Sequence, residues 1–302
     1  MIMLFLANAI MKSPQQALVW SAMLGAATLV LSPFGVLSGA AIALVTLAAG
    51  LVPGSRVLLA SLAGAALLAV FTDQWSAFGL ALLEFWLPAF ALSVVLGASA
   101  SLSRMLQVAT GLMLLALVLT YLWVGSPEAF WLETMRQLLE GWQAQGLAIE
   151  PQAASLLIEQ LPAVLTMLVA MGLLMVWISM VLLARWWQTR LYDMTPFSAE
   201  FQGIALGNAL AGLMALMLLL VLFMPEQLLI QDALGVLSLV FMLQGLALIH
   251  FWQRVKQVSK GWLILIYVLL GVLPQMMMMV ATLGWLENWI NWRDKIASDS
   301  QS

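Results

Sequence analysis

Residues 161–184 read LPAVLTMLVAMGLLMVWISMVLLA, without one charged side chain. A helix crossing a bilayer needs about 20 mostly apolar residues, because the hydrocarbon layer is about 30 Å thick and each residue rises about 1.5 Å. This stretch is therefore read as a membrane-spanning helix, and the rest of the chain is read outward from it. Ser76–Ala98, Met105–Gly125, Ile204–Met224 and Gly261–Gly284 meet the same test, and Ala233–Gln253 does so with a more polar composition. Between Ala17 and Thr72, Pro33-Phe34-Gly35 and Pro53-Gly54-Ser55-Arg56 are expected to cut three short pieces: Ala17–Ser32, Val36–Val52 and Val57–Thr72. Short pieces rich in Gly, Ala and Ser pack closely against neighbours or re-enter the bilayer without crossing it.

The composition agrees. Of 302 residues, 64% are apolar and 8% charged, and the mean hydropathy is +1.04. A water-soluble domain carries about 25% charged residues, so this chain has too few to coat a water-facing surface. The expected fold is all-α: one polytopic transmembrane bundle over residues 1–302, with about nine spans (seven to nine) and a cytoplasmic N-terminus.

Basic residues set the orientation. With the N-terminus inside, the cytoplasmic segments hold Lys12, Arg56, Arg104, Arg185, Arg190, Arg254, Lys256 and Lys260, against Arg136, Arg293 and Lys295 outside. That split of eight to three is what the positive-inside rule asks. Trp123, Trp186, Trp187, Trp252, Trp262 and Trp285 are expected at helix ends as interfacial anchors. Met1–Ile10 is apolar but short, and Lys12 follows it, so a retained segment is expected rather than a cleaved signal peptide.

The outer segment 126–160 has its own pattern. Ser126-Pro127-Glu128 reads as a helix start. Trp131, Met135, Leu138, Leu139 and Trp142 then recur at helical spacing opposite Glu133, Arg136, Gln137 and Glu140. This predicts an amphipathic helix from Pro127 to Gln143, lying along the membrane surface as a connector or capping a cavity. A second short helix is expected from Pro151 to Gln160.

Several activities are excluded or left without support. No basic stripe serves nucleic acid. There is no cysteine, and the single histidine, His250, cannot build a multi-histidine metal site. None of the lysines follows a glycine-rich phosphate loop. No paired carboxylates or Ser–His arrangement supports an enzyme; neither catalytic residues, metal nor cofactor are expected.

The candidates are polar residues at membrane depth, where an ionisable group costs about 2.5–3.5 kcal/mol or more. Glu84 lies in Leu82-Leu83-Glu84-Phe85-Trp86-Leu87-Pro88. Pro88 has no amide to bond the Glu84 carbonyl, and a carboxyl beside a freed carbonyl suits a cation, a proton or a ligand amine. The alternative is a protonated acid bonded to another helix. Gln244 and Gln275 are expected near the midplane of sequential antiparallel helices, either bonding each other or reading a polar solute. Asn208, His250 and Tyr267 are secondary candidates nearer the cytoplasmic side, with His250 read as interfacial or helix-capping. The Met276–Met279 run is read as adaptable packing.

The C-terminal third carries a family resemblance. Gln244-Gly245-Leu246-Ala247-Leu248-Ile249-His250, Ser259-Lys260-Gly261-Trp262, Tyr267, Pro274 and Gly284-Trp285-Leu286-Glu287-Asn288-Trp289 resemble the YybS-like family of bacterial membrane proteins of unknown function. The early Leu37-Ser38-Gly39-Ala40-Ala41 stretch is similar too. That family resembles, more distantly, the S-components of energy-coupling-factor vitamin transporters and the rod-shape protein MreD. The S-component resemblance implies a multi-pass protein of the bacterial inner membrane that binds a small molecule and borrows ATPase and membrane coupling subunits. The MreD resemblance implies instead a non-transporting scaffold for envelope-assembly or division proteins, whose partners would contact Arg254–Lys260 or the outer helix.

Overall fold

The computed structural model describes residues 2–147, 150–259 and 261–299. Lys260, counted among the cytoplasmic cations, lies outside them. Among the described residues every regular element is helical: the protein is a polytopic helical membrane bundle. Five helices are long and apolar enough to cross a membrane, and several shorter apolar ones accompany them. The chain divides into two compact units, residues 1–109 with 175–205, and residues 110–174 with 206–302.

The first unit opens with α1 (Ile2–Met11), α2 (Pro14–Val30), α3 (Pro33–Ala49) and α4 (Leu51–Thr72). Ser13 caps α2, its Oγ accepting the Gln16 amide at 3.2 Å. α3 is its central helix: residues 38 to 46 are buried without a gap, as a helix apolar on every side must be. The turn between α3 and α4 falls at Gly50, whose φ of 95° suits a residue without a Cβ. Pro53-Gly54-Ser55-Arg56 is therefore no break, contrary to the reading from sequence. Pro53 sits in the first turn of α4, where its missing amide would have lacked a helical partner anyway. α2 and α4 pack face to face, with Gly25 against the Ser61 carbonyl and Gly64 against the Ala22 carbonyl, so close that neither position has room for a Cβ.

The span expected at Ser76–Ala98 is one helix of three segments: α5 (Trp75–Ala81), a π turn (Leu82–Trp86) and α6 (Leu87–Ser99). Then comes α7 (Leu102–Val124), whose first residues belong to this unit. The second unit holds α8 (Pro127–Ala144), α9 (Pro151–Glu159) and the start of α10 (Leu161–Leu191). The end of α10 and α11 (Phe197–Gln202) return to the first unit, and α12 (Gly207–Phe223), α13 (Leu228–Val255), α14 (Gly261–Val272), α15 (Pro274–Ile290) and α16 (Trp292–Asp299) complete the second.

α8 and α9 match the two helices expected in the outer segment. Ser126 Oγ caps α8 by accepting the Ala129 amide at 3.3 Å, and Trp131 donates its indole N–H to Thr166 Oγ1 of α10 at 2.9 Å. Leu139 alone of the expected apolar face is fully buried.

Two boundaries and one tryptophan differ from expectation. α13 begins at Leu228 rather than Ala233, which brings Asp232 inside the helix. The span expected over Gly261–Gly284 is broken at Leu273, whose extended backbone (φ −117°, ψ 104°) is what the residue before a proline favours. Trp187 is 0% exposed, so it fills the core of the first unit instead of anchoring at an interface, whereas Trp123 is 92% exposed, as an anchor should be.

Candidate functional site

In the first unit, Glu84 stands at the centre of the π turn. Pro88 has no N–H to give the Glu84 carbonyl, and the chain widens by one residue there, so that the Leu87 amide bonds the Leu82 carbonyl five positions back. Such π turns occur frequently at functional sites. The turn is held on α3 by its neighbours. Trp86, 0% exposed, donates its indole N–H to Ser38 Oγ at 3.0 Å, and the Phe85 ring covers Gly35. Glu84 itself is half-buried and makes no hydrogen bond or ion pair with any described residue. It is the tenth residue of the 25-residue helix Trp75–Ser99, about 15 Å along its axis.

In the second unit, Gln244 is 0% exposed and committed at both ends. Its Oε1 accepts the Leu206 amide at 2.7 Å, at the start of α12, and its Nε2 donates to the Gly284 carbonyl at 2.8 Å. Gly245 lies against the Val280 carbonyl and Gly284 against the Phe241 carbonyl, so that backbones touch along the α13/α15 seam. Trp285 adds an indole N–H to the Ala211 carbonyl at 2.9 Å. Gln275 is exposed, second residue of α15, nine positions before Gly284 and therefore about 13 Å along the helix from the contact Gln244 makes. The two glutamines do not bond each other: Gln244 commits both ends to Leu206 and Gly284, and Gly284 lies nine residues further along α15 than Gln275.

Of the secondary candidates, Asn208 is exposed. His250 and Tyr267 meet: Nε2 lies 2.9 Å from the phenol oxygen, joining α13 to α14.

Two polar groups escape sequence reasoning. Asp232, 1% exposed, accepts a hydrogen bond from the Tyr121 hydroxyl at 2.8 Å, which links α13 to α7. Nothing in the sequence signals a pair separated by 111 positions. In the first unit, Arg185 donates two bonds to the Glu200 carboxylate, Nε to Oε2 at 2.8 Å and Nη2 to Oε1 at 2.7 Å. Its third donor reaches Gln188 Oε1 at 2.6 Å, and Gln188 in turn donates to the Leu47 carbonyl at 2.9 Å. Arg185, counted at first only toward orientation, thus fastens α10 to α11 and α3.

Among these buried or half-buried polar groups Asp232, Gln244 and Arg185 are satisfied within the chain, and Glu84 is not. Among the described residues no group of three or more His, Cys, Asp or Glu could hold a metal. The family model described as "Predicted membrane protein (DUF2232)" matches residues 19–286. No curated protein and no solved structure matches the chain.

Proposed function

This chain belongs to the DUF2232 family of predicted membrane proteins, and from that premise we propose that it binds a small, partly apolar solute as a component of a membrane transport system, with Glu84 as the polar contact. The observation that carries this reading is the unpartnered state of Glu84. A carboxyl at mid-helix costs several kcal/mol in a bilayer, and chains normally recover that cost with an internal partner, as Tyr121 provides for Asp232. Glu84 has none among the described residues, and its π turn, packed on α3 through Trp86 and Phe85, sets its position. A proton, a cation or a solute donor is the partner it awaits.

The resemblance to YybS-like proteins, and through them to S-components, supports the same reading, as does the lack of a phosphate-binding loop: energy would come from other subunits. In this reading the protein resides in a bacterial inner membrane with its N-terminus in the cytoplasm. Gln244 then acts as a brace, both ends being occupied, while the exposed Gln275 keeps a free amide for a solute met by the second unit.

The test is thermal stability of the purified protein across a panel of metabolites, with wild type, Glu84→Gln and Glu84→Ala side by side. At least one compound should stabilise the wild type, by about 2.7 kcal/mol at 100 times its Kd. The gain should vanish in both variants, whose unliganded stability should equal or exceed that of wild type. No stabilisation by any compound, with unchanged growth of cells carrying Glu84→Ala, overturns the proposal.

A further inference from the structure

We propose that the first unit carries a binding site for one anionic phospholipid, formed where α1 and α3 end and α2 and α4 begin. A cavity of about 340 Å³ lies at this end of the four helices. Lys12 and Arg56 both line it, and apart from them and Ser13 its wall is apolar, with Leu18, Val45, Ala49 and Val57 among its residues. The cavity thus offers two unlike surfaces in one space: positive charge, and hydrocarbon able to hold the first part of an acyl chain. That is the division of a phospholipid rather than of a free anion.

Charge complementarity fixes the sign of the occupant. Neither Lys12 nor Arg56 forms an ion pair or hydrogen bond with a described residue, and no acidic residue lines the cavity. The contrast with Arg185, which holds Glu200 at 2.7 Å, shows that the unit pairs its cations where it needs them for packing. Two exposed cations that merely reached for water would bury their stems along the surface, but they would not have to share an apolar cavity. Position agrees as well. The positive-inside pattern assigns this end to the cytoplasmic face, where anionic headgroups attract basic segments and basic pockets between spanning helices hold phosphate headgroups.

The experiment uses the full chain in neutral detergent and measures thermal shift and binding with phosphatidylglycerol, phosphatidylcholine and inorganic phosphate. Phosphatidylglycerol should stabilise the protein, and the other two should not. Lys12→Gln and Arg56→Gln should each weaken phosphatidylglycerol binding about fivefold, and the pair roughly 25-fold. Ala49→Phe, which fills the apolar part without touching charge, should abolish binding and serves as the test if the double variant does not fold. Lys256→Gln, on another loop, should leave binding unchanged. Equal stabilisation by phosphatidylcholine or by phosphate overturns the proposal, as does an equal loss in Lys256→Gln or undiminished binding in Ala49→Phe. None of these outcomes depends on Glu84, which does not line the cavity.

Discussion

α2 crosses α4, and α13 crosses α15, by the same device: a glycine on each helix set against the carbonyl of the other. The two seams differ in what surrounds those glycines. Beside the α2/α4 contact, Ser21 and Ser61 are 0% exposed and their hydroxyls meet no partner among the described residues. Beside the α13/α15 contact, Gln244 binds α12 and α15 at once, and Trp285 fastens α15 to α12. In lipid, where tails are as apolar as leucine, close packing and interhelical hydrogen bonds replace the hydrophobic force that joins helices in water. The first seam relies on packing; the second adds direction and position.

The largest test of this comparison fills the glycines. Gly284→Leu and Gly64→Leu should each cost about 3 kcal/mol or more, because the new side chain meets backbone that cannot step aside. Unfolding of the detergent-solubilised protein measures it, and equal losses would confirm a common device. A smaller effect is expected from Gln244→Leu, about 2 kcal/mol, since the Leu206 N–H and one bond to the Gly284 carbonyl are orphaned in a dry interior. The smallest belongs to the other seam. Ser21→Ala and Ser61→Ala should leave stability unchanged or raise it by about 1 kcal/mol, since neither hydroxyl makes a bond that alanine would lose and each is buried unpaired. A loss from Ser61→Ala as large as that from Gln244→Leu would erase the distinction between the seams.

What could be read from the sequence was whatever acts over one helical turn. Length and hydropathy located the apolar helices, and Ser126-Pro127 placed the start of α8 to the residue. Proline was ambiguous in itself. Pro53 lies in a first turn and interrupts nothing, while Pro274 opens α15 and favours the extended backbone of Leu273 that separates it from α14. The expected meeting of Gln244 and Gln275 also fails, because Gln244 bonds Leu206 and Gly284 instead. Asp232 fell one residue outside the span expected from Ala233, and its partner, Tyr121, lies on another helix. His250 and Tyr267 likewise lie on different helices, each noted alone and found bonded together. Glu84 was recognised as an ionisable group at membrane depth four residues before Pro88, but the widened turn there and its seat against Ser38 and Gly35 are visible only in the folded chain.

The widened turn at Leu82–Trp86 also has a consequence for the phase of the whole helix. Each residue of a regular coil advances roughly 100° around the axis, and the wide turn takes up one additional amino acid without that advance. The faces that α6 presents after Leu87 are therefore those of a register one step out from α5. Regular winding through the same residues would leave composition untouched but turn everything downstream by about that angle. It would swing Leu92 and Leu96, now 0% and 2% exposed, out of the interior, making the segment an indexing device whose length is as constrained as its chemistry.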